Sequence, residues 1–160
     1  MSASATMLIL GGMYYETEYK TAQLWDRLLD TVKWPLDYFM KSYINDKLVY
    51  GQCGNGDIDH AAWGRPEDST TARPCYALTD TKPGTEVAAG MAAALAGGYL
   101  LFRTENPAYA GQLLDKAKKL YTFGETYQGS YNESIPDAAK FYKSYSGYHD
   151  ELTEAAALLY

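Results

Sequence analysis

The sequence predicts an all-α fold, and three features carry that reading. Leu24, Leu28, Val32, Leu36, Phe39 and Tyr43 recur at helical intervals, the signature of one buried helix face. Residues 86–102 are dense in Ala and Gly, which lets a helix approach its neighbours closely. No stretch of the chain alternates apolar and polar residues strongly enough to compete as a strand.

Taken in order, Ser2 to Met13 reads as a helix already under way at the start of the chain. Residues 21–44 form a long amphipathic helix in which Pro35 either introduces a kink or starts a second segment. Leu48 to Pro83 is long and rich in Gly, Asp, Pro and Thr, so it reads as an irregular, functional loop. Thr85 is placed to cap the helix over 86–102. Asn106-Pro107 starts the next helix, Leu113, Ala117, Leu120 and Tyr121 form its apolar face, and Gly124 is expected to stop it. A short helix is expected near 136–143 and a last one from about Gly147. Ala155 to Tyr160 is an apolar helical run with no breaker after it, so both ends read as cuts through a larger domain.

Composition narrows the partners. The formal charge of −6 disfavours nucleic acid and other polyanions, because such surfaces are bound through Lys and Arg. No run of consecutive apolar residues has the length of a membrane span, and no basic segment precedes Met7–Leu10 to make it a signal peptide. Tyr supplies 16 residues and Phe only 4. A Tyr ring covers sugar C–H faces while its hydroxyl bonds a sugar OH, although tyrosines bordering a core give the same composition.

Three clusters can carry chemistry. In the first, Asp57, Asp59 and His60 precede Trp63, Arg65, Glu67 and Asp68. It reads as Asx turns in a glycine-rich loop, as a ligand wall with His60 hydrogen-bonding and Trp63 stacking, or, at poor ligand spacing, as a metal site. The second is the aromatic run Phe141, Tyr142, Tyr145 and Tyr148, which lines a sugar groove or packs a core. In the third, Ser146 and Gly147 precede Asp150 and Glu151. Turn carbonyls beside two carboxylates suit calcium, and acids in a first helical turn equally complement the helix dipole.

The runs YGQCGNGDIDHAAWGRPEDSTTARPCY, KPGTEVAAGMAAALAGGYLLF, NPAYAGQLLDKAKKLYTF and SIPDAAKFYKSYSGYHDEL resemble, in order and spacing, the glycoside hydrolase family 9 cellulases. The resemblance implies an (α/α)6 barrel, of which residues 1–160 would supply about half of the helices as an incomplete catalytic domain. It also implies inverting hydrolysis of β-1,4-glucan by a secreted, monomeric parent enzyme. His60, Trp63, Tyr142 and Tyr145 match cleft-lining positions, and Ser146, Gly147, Asp150 and Glu151 match a structural calcium site with a further ligand beyond Tyr160. The family's base lies in an Asp-Ala-Gly-Asp motif before the segment matching Met1-Ser2-Ala3, and its acid lies well beyond Tyr160. No catalytic residue is therefore assigned here, and the chain alone is expected to be inactive. Its uncovered helix faces are expected to make it self-associate.

Several positions depart from the family pattern. Ala62 replaces an aromatic residue, Gly90 a Glu, Glu154 and Leu158 each a Trp, and Tyr145 stands where Trp is frequent. Cys53 and Cys75 replace apolar residues, either as a disulfide or as two buried thiols. An inactive glucan-binding or helical interaction protein is the alternative reading of the chain.

Overall fold

The computed structural model describes residues 1–160. Helix α1 covers Ser2–Tyr14 and α2 covers Glu16–Thr21. The predicted helix over 21–44 is shorter at its start: α3 runs Trp25–Ser42, because Gln23 adopts a left-handed φ of 58° and breaks the chain out of α2. Leu28, Val32, Leu36, Phe39 and Tyr43 are buried as the spacing requires, whereas Leu24 is exposed in front of the helix. Pro35 lies inside α3 and starts no second segment.

The expected irregular loop at 48–83 contains strands that sequence reasoning missed. β1 (Tyr43–Asn45), β2 (Leu48–Cys53) and β3 (Cys75–Thr79) form an antiparallel sheet in the order β1-β2-β3. Asn45 Oδ1 accepts from Lys47 N at 2.9 Å, closing the turn between β1 and β2. Val49 lies opposite Leu78, and both are fully buried. Between β2 and β3 lie α4 (Gly56–Ala61) and a 3₁₀ turn at Pro66–Asp68. Cys53 pairs with Cys75 directly across the sheet as a disulfide, with Cα atoms 4.1 Å apart, which decides between the two readings of these residues.

α5 (Thr85–Phe102) is the centre of the core. α1 and α9 (His149–Leu159) flank it in one layer, while α3 and α6 (Pro107–Thr126) back it in a second. It is the one helix long and apolar enough to cross a membrane, and here it is buried by its neighbours. Its small residues set the helix spacing: a Cβ at Gly98 would lie 2.7 Å from Leu36 Cδ1 and 3.2 Å from Leu113 Cδ1. Gly84, not Thr85, precedes the helix, and Thr85 Oγ1 instead accepts from Gly129 N at 3.0 Å. Asn106 caps α6 as predicted, accepting from Tyr109 N at 3.1 Å. Gly124 does not stop α6; it is buried inside it where the helix crosses Ala88 of α5. The helix expected at 136–143 is α8, limited to Pro136–Ala139 and preceded by α7 (Tyr131–Ser134). Met7, Leu8, Met13 and Tyr14 of α1 form an exposed apolar face.

Candidate functional site

α4 places the first predicted cluster. Asn55 Oδ1 accepts from Ile58 N at 3.0 Å and caps the helix, so His60 stands one turn beyond Gly56. His60 Nδ1 lies 2.7 Å from the Gly56 carbonyl oxygen. A carbonyl only accepts, so Nδ1 carries a proton and Nε2 is left as the acceptor of the neutral ring. The imidazole also stacks on Phe141, with centroids 4.3 Å apart and planes within 6°. Sequence reasoning placed Phe141 in an aromatic run without seeing this partner.

The neighbouring acids are occupied. Asp59 accepts from Arg73 Nη1 at 2.5 Å and from Thr71 Oγ1 at 3.1 Å. The hydrogen bond from Arg73 holds its carboxyl below the usual carboxylate range. Asp57 pairs with Lys140. Both acids therefore spend their charge on neighbouring cations, not on a shared ligand with His60. No group of three His, Cys, Asp or Glu side chains converges as a metal cluster.

His60 and Tyr142 border one cavity of about 640 Å³, together with Tyr38, Phe39, Glu86 and Gly90. Tyr142 is held by its main chain, whose carbonyl accepts from the Tyr131 hydroxyl, while its own side chain is exposed. Trp63 and Tyr145 stand outside this cavity as rings 94% and 89% exposed, and Lys143 Nζ lies 5.8 Å from the Tyr145 centroid. The structure thus joins two of the four predicted glucan contacts in one cavity and leaves two as open platforms.

Glu86 and Glu151 also border the cavity, and sequence reading did not single out Glu86. Glu86 is buried; its Oε1 accepts from Ser130 Oγ at 3.0 Å and its Oε2 has no partner. Glu151 Oε2 is buried and unpartnered as well. Burial, a hydrogen bond with Asp150, and the charges of Asp150 and Glu86 push the Glu151 carboxyl up to about 7. Glu154 also borders the cavity and is exposed, so its charge needs no buried partner. Gly90 leaves room for Ser2, whose Oγ would lie 2.7 Å from a Cβ at that position.

The predicted calcium residues lie at the start of α9. Gly147 has φ +87°, a left-handed turn that favours glycine, with Ser146 and Asp150 exposed beside it. Of these residues, Glu151 alone leaves a buried side-chain oxygen without a partner.

Known proteins place this arrangement. Rice (Oryza sativa subsp. japonica) Endoglucanase 1 is 42% identical over all 160 residues, which span 25% of that protein. Endoglucanase B of Cellulomonas fimi is also 42% identical over the whole chain, covering 15% of its length. The solved endoglucanase of the termite Nasutitermes takasagoensis superposes with a TM-score of 0.96 at 44% identity, covering all of this chain and 37% of that one. The cellulase Cel9M of C. cellulolyticum in complex with cellobiose superposes at 0.91 with 32% identity, covering 99% of this chain and 36% of that one. The α1/α5/α9 and α3/α6 layers are accordingly a partial piece of an (α/α)6 barrel. The match to glycosyl hydrolase family 9 extends over residues 1–160, and the chain belongs to that family.

Proposed function

We propose that the chain is part of an endo-β-1,4-glucanase that cleaves internal bonds of cellulose with inversion. On this reading residues 1–160 are an incomplete catalytic domain that supplies cleft wall. The observation that carries it is a family match over the whole chain whose cavity is bordered by His60 and Tyr142, with His60 Nδ1 engaged by the Gly56 carbonyl. Trp63 and Tyr145 present open faces to the C–H surface of a glucan, and His60 Nε2 accepts from a sugar hydroxyl. Inverting hydrolysis needs two carboxylic groups about 6.5–9.5 Å apart, one activating water and one protonating the leaving oxygen. Asp59 and Asp57 of α4 are tied to Arg73 and Lys140 and are not free for these roles; on this reading the pair lies outside residues 1–160. The disulfide supports secretion of the whole enzyme, since oxidising compartments keep such bonds closed.

Titration with cellotetraose, followed by Trp fluorescence, tests this reading. The chain is expected to bind without releasing reducing sugar, and Trp63→Ala is expected to weaken binding about tenfold, the loss of one stacking platform. Cellulose hydrolysis by the purified chain would overturn the placement of the acids, and absence of binding would overturn the cleft wall. An inactive glucan-binding protein gives the same binding, and it is separated by assaying the chain joined to its flanking sequence.

A structural calcium would be held by Ser146, Gly147, Asp150 and Glu151, tying the turn before α9 to its first helical turn. It would neutralise carboxylates and take no part in bond cleavage. Calcium at a hundredfold excess over its Kd is then expected to stabilise the chain by about 2.7 kcal/mol. The melting temperature of the wild type should rise with calcium, and that of Glu151→Gln should not. Equal shifts in both proteins would remove Glu151 from the site.

A further inference from the structure

The segment carrying α8 grips α4 at two points one helical turn apart, across more than 80 residues of sequence. Asp137 Oδ2 accepts from Gln52 Nε2 at 2.6 Å and from Gly56 N at 3.0 Å. Its Oδ1 accepts from Asn55 Nδ2 at 2.7 Å. These three donors are the end of β2, the capping residue of α4 and its first helical residue. Four residues after Asp137, Phe141 stacks on His60, which itself lies four residues after Gly56. The fit at this second point is close: a Cβ at Gly56 would come within 2.3 Å of the Phe141 ring.

We propose that Asp137 is a positioning residue for glucan binding. It does not touch the sugar; it fixes the start of α4, so that the Gly56 carbonyl meets His60 Nδ1 and Nε2 is left as the acceptor of the neutral ring. The inference rests on the cleft-wall reading of His60. Its chemistry is simple. A carboxylate offers only acceptors, so it satisfies three convergent donors at once, and hydrogen bonds to an ionised acceptor are roughly twice as strong as neutral ones. Alanine leaves all three donors without this partner. Asparagine keeps the shape and turns an N–H toward at least one of them.

The tautomer of His60 gives a readout that a general loss of stability does not move. In the wild type, ¹⁵N shifts of the neutral imidazole are expected to report the Nδ1–H form. In Asp137→Ala and Asp137→Asn the population is expected to revert toward Nε2–H, with cellotetraose affinity reduced about tenfold and by less in the asparagine variant. Leu113→Ala, a truncation in the remote core, is the control for destabilisation and should keep the wild-type tautomer. Should Asp137→Ala not fold, Asp137→Asn carries the test. A wild-type tautomer and affinity in the folded variant would overturn the proposal. If the wild type itself does not bind cellotetraose, the cleft-wall reading fails, while the tautomer comparison still decides whether Asp137 orients His60.

Discussion

Replacing Phe39 with alanine is expected to cost about 3–5 kcal/mol of folding stability, the usual range for truncating a buried Phe. Phe39 is 1% exposed, lies on the inward face of α3 and meets Tyr38 edge-on. It also borders the cavity at His60, so truncation enlarges a space that α3 and α5 are not free to close. Gly98 already brings Leu36 of α3 and Leu113 of α6 against the α5 backbone, which limits collapse of the layers. A domain is stable by only about 5–15 kcal/mol, so the variant should melt far below the wild type. Urea denaturation followed by circular dichroism measures the difference. A loss under about 1 kcal/mol would mean that the two layers repack freely, contrary to the glycine contacts.

The double replacement Cys53→Ser with Cys75→Ser is expected to lower stability by about 3 kcal/mol, the loop-closure contribution for a bond spanning some 20 residues. The bond fastens β2 to β3 at the point where the chain leaves the sheet for α4. Within the excursion and its flanking strands the other ties are polar: Arg73 donates to the Cys53 carbonyl at 3.1 Å and to Asp59, and Asn55 donates to the Tyr76 hydroxyl at 3.2 Å, while Asp137 and Phe141 hold α4 from outside it. Surface ion pairs of this kind contribute about 0–1 kcal/mol each, too little to replace the covalent link. Wild type in reductant should therefore melt with the double variant. Alkylation followed by mass spectrometry provides the companion measurement, and two free thiols in protein produced under oxidising conditions would sink the assignment.

The helices were legible because their signals are local. The spacing from Leu28 to Phe39 needs no partner to be recognised, and Asn106-Pro107 states a helix start in two residues. The sheet was hidden for the opposite reason. β1 has three residues, β2 buries only Val49 completely, and their stability comes from pairing with β3. Such strands carry little alternation of their own. Gly124 shows how one residue type serves two ends: a helix stop and a close helix crossing both favour glycine, and the second depends on where Ala88 lies. In the site, family resemblance points to His60 and Tyr142, and the structure sets both at the border of one cavity. Asp137 was not, because its meaning lies in donors 81 to 85 residues away. Glu86 lies in the first turn of α5, where acids are ordinary, and only its burial in the fold distinguishes it by leaving one oxygen unpaired.

α5 has a consequence for how the protein is made. In an unfolded chain, Thr85–Phe102 has the length and apolarity of a bilayer-spanning segment, and only packing against α1, α6 and α9 marks it as interior. Until those helices have closed over it, this segment is an exposed apolar stretch, the kind of surface through which incompletely packed chains associate. A variant that delays helix packing therefore lengthens the interval in which this stretch is open to aggregation.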